Sequence, residues 1–113
     1  MIEHEGRVTR AWVLHPELKT VSGRRDPVAA LAEATSLARA LPELDVVGAT
    51  IIGLKKLLPA TLFGSGKLAE LKKVFEGHNV ELVLLDGHVT PVQQRNLYKK
   101  WGIKLLDRTA LIL

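Results

Sequence analysis

Gly64, Ser65, Gly66 and Lys67 stand where an apolar run gives way to an amphipathic one, directly after Pro59-Ala60-Thr61-Leu62-Phe63. Glycines at a helix start let backbone N–H groups face outward, and beside a lysine they make an anion-binding geometry. A nucleotide P-loop would need glycine at position 61 and Ser or Thr after Lys67, but Thr61 and Leu68 occupy those places. The dinucleotide fingerprint fails too, because its third glycine would fall on Ala69 and no acidic partner is evident after the next strand start. What survives is an anion site of backbone donors and Lys67, or else a plain turn in which Ser65 caps the helix.

Other residues offer weaker chemistry. Asp86 and Asp107 each close a short apolar run, and a carboxylate pair at neighbouring strand ends could hold Mg²⁺ or polarise a substrate. The ordinary alternative is a turn at Asp86-Gly87 and a local pair of Asp107 with Arg108. His4, His15, His78 and His88 show no ligand spacing, and without cysteine neither a thiolate metal site nor a disulfide can form. No Ser/His/Asp arrangement is recognisable. Gln93, Gln94, Arg95, Asn96, Lys99 and Lys100, with Tyr98 beside them, give one helix an amide-rich surface suited to RNA or a partner protein. A solvated face is the commoner cause of such a pattern. Aromatic residues are 4% of the chain, too few for stacking platforms to dominate.

The elements that must position these residues follow from patterning. At 113 residues, 47% apolar and 25% charged, the chain is long and apolar enough for one domain with a single core. Lys and Arg exceed acids by 16 to 12, a +4 balance that permits a phosphate-bearing partner without demanding one. The start lacks a signal-peptide profile, no apolar run approaches a membrane span, and the lack of cysteine suits a reducing compartment, so a cytoplasmic chain is expected.

Arg7 to Leu14 reads as a strand entering a buried sheet, stopped by Pro16. A polar loop with Arg24 and Arg25 leads to Asp26-Pro27, an N-cap with proline at the first helical position. Val28, Leu31, Ala34, Thr35, Ala38 and Leu41 then share one helical face, ended by Pro42. Asp45 to Leu54 is β-branched and mostly uncharged, a second buried strand followed by Lys55 and Lys56. Leu68, Leu71, Val74 and Phe75 mark a second helix up to Gly77, with Lys67, Lys72 and Lys73 on its wet side. Leu82 to Leu85 is a short central strand; Thr90-Pro91-Val92-Gln93 is a capping box opening a helix to about Trp101; Ile103 to Leu106 is a fourth strand. Positions 108–113 begin a further apolar element, as expected of a piece of a longer protein.

The alternation βαβαβαβ implies an α/β fold, a mostly parallel sheet with helices on both faces and right-handed crossovers. The expected strand order is 2-1-3-4, with the switch point beside the first strand. Loops leaving the carboxyl ends of such strands share one edge, where ligands bind. That edge would gather Arg24, Arg25, Lys55, Lys56, Gly64 to Lys67, Asp86, His88, Asp107 and Arg108 into a largely basic rim, a candidate surface for RNA or phosphate.

Pro59 to Lys67, with Asp86-Gly87, Thr90-Pro91-Val92-Gln93-Gln94-Arg95-Asn96-Leu97 and Asp107-Arg108-Thr109, resembles the N-terminal domain of the HflX family of ribosome-associated GTPases. Arg25-Asp26-Pro27 and Val47-Gly48-Ala49 fit the same pattern, so the resemblance covers nearly the whole chain from about residue 10. It implies a domain that precedes a helical hairpin and a GTP-binding domain, in a protein that binds the large ribosomal subunit and separates stalled or idle ribosomes. No position here matches the family's GTPase motifs, so no catalytic residue carries over, and GTP and Mg²⁺ would belong to the other domain. The resemblance leaves a non-catalytic module that contacts ribosomal RNA or restrains its own GTPase domain. It also implies an alternative, ATP or another phospho-ligand at Gly64 to Lys67.

Overall fold

Seven elements follow one another in the computed structural model, which describes residues 8–18, 26–56 and 58–107. They are β1 (Thr9–Leu18), α1 (Pro27–Arg39), β2 (Leu44–Leu54), α2 (Ser65–Gly77), β3 (Leu82–Leu85), α3 (Pro91–Trp101) and β4 (Lys104–Asp107). All strand pairs are parallel, as the alternation predicts, and their order is β2-β1-β3-β4, the one expected of a doubly wound sheet. The helices divide between the two faces, which is what a doubly wound sheet requires to bury both sides.

One face is covered by α1, whose Ala30, Ala34 and Ala38 are buried. Alanines every fourth residue let the helix backbone lie close to Ala11, Val13, Leu82 and Leu84 beneath it. Val28, expected on this face, is 64% exposed. It lies two positions before Ala30, which turns it to the far side of the helix. The opposite face carries α2 and α3 and the larger core. Phe75 is fully buried there, with the Trp101 ring edge-on at 5.1 Å and the Trp12 ring at 6.1 Å. Both indoles find acceptors: Trp101 Nε1 donates to the Leu68 carbonyl at 3.1 Å and Trp12 Nε1 to Thr50 Oγ1 at 3.0 Å.

Two strands differ from their expected form. β1 does not stop at Pro16 but continues to Leu18 alongside β2. The reason lies in alternation along the strand. The Leu14 carbonyl accepts from Asp86 N–H on the β3 side, so Pro16, two residues on, turns its missing N–H to that side, where β3 has already ended at Leu85. No ladder bond is lost. β2 is an edge strand, so only Ile52 and Leu54 among its residues are fully buried, rather than the whole run. Its register slips by one residue between Ala11 and Trp12, where Val47 bulges out and Gly48 comes to face Trp12. A Cβ at Gly48 would lie 2.3 Å from the indole ring, so only glycine fits beneath it.

The caps explain the helix starts. Asp26 accepts from Val28 N–H at 3.0 Å, with Pro27 at the first turn. Thr90 and Gln93 form the reciprocal capping box, and Gly102 closes α3 in the left-handed region at φ 68°. Ser65 does not cap α2. Gly64 is the N-cap, extended at φ −69° and ψ 162°, and as a glycine it gives the first turn no side-chain cap bond.

Candidate functional site

The carboxyl edge of the sheet is stepped. β1 pairs with β3 only as far as Leu14, opposite Leu85, whereas it pairs with β2 as far as Leu18, opposite Leu54. The β1–β2 ribbon therefore rises about 13 Å above the ends of β3 and β4, four residues at the usual strand rise. Lys55 and Lys56 leave the top of this step and are exposed. Asp86 and Asp107 lie at its foot. Arg24, Arg25 and Arg108 lie outside the described residues.

Between Lys56 and α2 the chain makes a small anchored loop. Leu58 and Leu62 exchange two backbone hydrogen bonds, at 3.1 and 2.9 Å, with Leu62 at φ 68°. Leu62 and Phe63 are buried and fasten the loop to the core. From α3, Gln93 Nε2 donates to the Leu58 carbonyl at 3.1 Å and Asn96 Nδ2 to the Ala60 carbonyl at 3.0 Å. Gln94 Nε2 reaches the other way, to the Leu105 carbonyl on β4 at 2.7 Å. The amides of α3 thus tie the loop and the edge strand together instead of forming an open polar surface. Of that predicted partner surface, Arg95 and Lys99 remain exposed, with Tyr98 and Lys100 beside them.

The loop delivers Gly64 to Lys67 to the start of α2 with Gly64, Ser65 and Gly66 exposed and open space where a Cβ on either glycine would stand. The first-turn N–H groups of a helix have no intrahelical acceptor, so this uncapped end offers donors and the positive end of the dipole. Lys67 does not point its charge there unopposed: its Nζ lies 2.7 Å from Glu70 Oε1.

At the foot of the step the structure assembles a cluster that spacing along the chain did not reveal. His15 Nδ1 lies 2.9 Å from Asp86 Oδ2, and His15 Nε2 lies 3.2 Å from Glu17 Oε1. Asp86 is almost fully buried, so its carboxylate is held by the imidazole and not displayed to solvent. Ending the first strand at Pro16 hides this cluster, because His15 and Glu17 share a sheet face with Asp86 only if the strand continues. Asp107 has His88 Nδ1 at 3.8 Å and lines, with Asp86, a small cavity under α1 beside Leu37 and Leu84. Among the described residues no group of three or more His, Asp or Glu side chains could hold a metal ion.

The family model described as the GTP-binding GTPase N-terminal matches residues 28–113. The chain is 43% identical to a GTPase HflX of Magnetococcus marinus over 70 residues, covering 62% of this chain and 16% of that protein. To a GTPase HflX of Caldanaerobacter subterraneus it is 40% identical over 79 residues, 65% of this chain and 18% of that protein. The chain thus spans less than a fifth of the length of these curated relatives. Among the described residues no helix is long and apolar enough to cross a membrane.

Proposed function

The chain belongs to the GTP-binding GTPase N-terminal family, and from that premise we propose that it is the non-catalytic, regulatory ribosome-binding module of a GTPase of HflX type. In this reading the complete protein acts on the large ribosomal subunit in the cytoplasm, with GTP and Mg²⁺ held by a separate domain. The module contacts ribosomal RNA, and the exposed face of α3 around Arg95 and Lys99 meets its own GTPase domain. The observation that carries the RNA assignment is the exposed Lys55-Lys56 pair at the top of the stepped edge, which precedes the glycine-capped start of α2 by eight residues in the chain. Lysines on a projecting ribbon reach a phosphate backbone without the rest of the domain having to fit it.

Binding to purified large subunits should weaken steeply between about 50 and 200 mM salt. Reversing both charges, Lys55→Glu with Lys56→Glu, should reduce the affinity and flatten the salt dependence, read by co-sedimentation. Unchanged binding in that variant removes the assignment. The open, uncapped Gly64 supports a second reading, a nucleotide or phosphate on the first turn of α2. Millimolar ATP, GTP or inorganic phosphate should then raise the melting temperature of the domain, and no shift with any of them discards it.

A further inference from the structure

β2 is an eleven-residue strand at the edge of the sheet, and among the described residues no strand pairs with its outer side. Its inner side is set by β1: Thr9 donates to the Glu43 carbonyl at 2.9 Å, and Val13, His15 and Glu17 stand beside Ala49, Ile51 and Gly53. In a parallel ladder the residue beside a bonded one turns its own N–H and C=O away. Ala49, Ile51 and Gly53 therefore present their backbone groups outward, and so does Val46 before the bulge. The strand has no proline and no lysine within it to blunt that edge.

Charge is distributed unevenly along the same edge. Glu43 and Asp45 sit at its start, Asp45 with Arg10 Nη1 of β1 at 3.7 Å, and Lys55 and Lys56 at its end. A second strand of the same sequence laid in parallel register would stack like charges at both ends. Laid antiparallel, it brings each acidic start against the other's basic end. We propose that β2 pairs antiparallel with β2 of a second copy of this chain, about a two-fold axis beside Thr50, doubling the four-stranded sheet. Ala49 then meets Ile51 of the second copy, and the reverse, each pair exchanging two N–H···O bonds. The extra residue at the bulge brings Val46, not Val47, opposite Gly53 of the second copy. These four outward-facing residues thus meet outward-facing residues. Side chains opposite one another fall on the same face, so both α1 helices cover one side of the joined sheet.

Sedimentation velocity on the 113-residue chain, without RNA, tests this independently of the ribosomal reading. The chain should dimerise, with association weakening as salt is added. The Lys55→Glu/Lys56→Glu and Glu43→Lys/Asp45→Lys variants should each raise the dissociation constant by about tenfold or more. Mixed one to one they should associate again, because the reversed start of one then meets the reversed end of the other. Ala49→Pro, which deletes an outward N–H on an edge where proline is tolerated, should fold and remain monomeric. A wild-type chain that stays monomeric at near-millimolar concentration overturns the proposal, as does a mixture that fails to associate.

Discussion

Gly48 and Trp12 fix the place where β2 changes face. A methyl group on Gly48 would lie within 2.3–2.6 Å of three ring carbons of Trp12, so either the indole or the strand must move. The indole also holds Thr50 through Nε1 and packs against Phe75, which leaves it little room to give way. Gly48→Ala is therefore expected to cost about 1–3 kcal/mol, the usual range for overpacking, measured by urea unfolding. Tryptophan fluorescence should shift with it, and a variant as stable as the wild type would show that the ring moves freely. Legibility at this scale was uneven. A glycine inside a β-branched strand signals a close approach or a bulge, but it does not name the partner, since Trp12 lies on another strand. His15 and Glu17 were hidden for a different reason: proline punctuates a strand only where its N–H would be needed, and alternation had already turned that position away from any neighbour.

At the scale of elements, α3 couples the others. Its Gln93 serves three bonds: it accepts from Thr90 N–H at 2.9 Å, its own N–H donates to Thr90 Oγ1 at 3.1 Å, and its amide holds Leu58. Gln93→Ala keeps the backbone donation to Thr90 but removes the two side-chain bonds, each worth about 0.5–1.5 kcal/mol. Its more specific effect should be faster amide hydrogen exchange at Leu58 and Leu62, which lie more than 30 residues away in the chain but share the tether. Protection unchanged at those two amides would mean that the tether does not order the loop. The capping box was plain in the sequence, because its residue types and spacing are local. The tethers were not, because an exposed amide and one reaching a distant carbonyl look alike in a helical pattern. The same limit explains Ser65, a good capping residue by type that the chain places one position too late, after Gly64 has already taken the extended cap conformation.

For the whole molecule, parallel pairing and the division of helices between faces followed from alternation and handedness, whereas the order β2-β1-β3-β4 agrees with an expectation that the alternation alone does not fix. What they did not supply was strand length. β1 and β2 run far past β3 and β4, and no rule of patterning sets where neighbours of unequal length end. The core couples the halves: Phe75 lies between Trp12 on the central strand and Trp101 on α3. Phe75→Ala should remove about 3–5 kcal/mol, a large share of the 5–15 kcal/mol that holds an ordinary domain. Both tryptophans should report one transition at a lower midpoint; separate transitions would mean that the two halves of the core unfold independently. The unequal strands also settle how the charges of the rim act on one another. Lys55 stands about four strand residues above Asp86 and about five above Asp107, roughly 13–16 Å. The Debye length at physiological ionic strength is about 8 Å. A polyanion resting on the tip of the ribbon is thus beyond the effective reach of those two carboxylates, and among the described residues the field it meets there is that of Lys55 and Lys56 against Glu17, which stands opposite Gly53 with its carboxylate 3.2 Å from His15 Nε2.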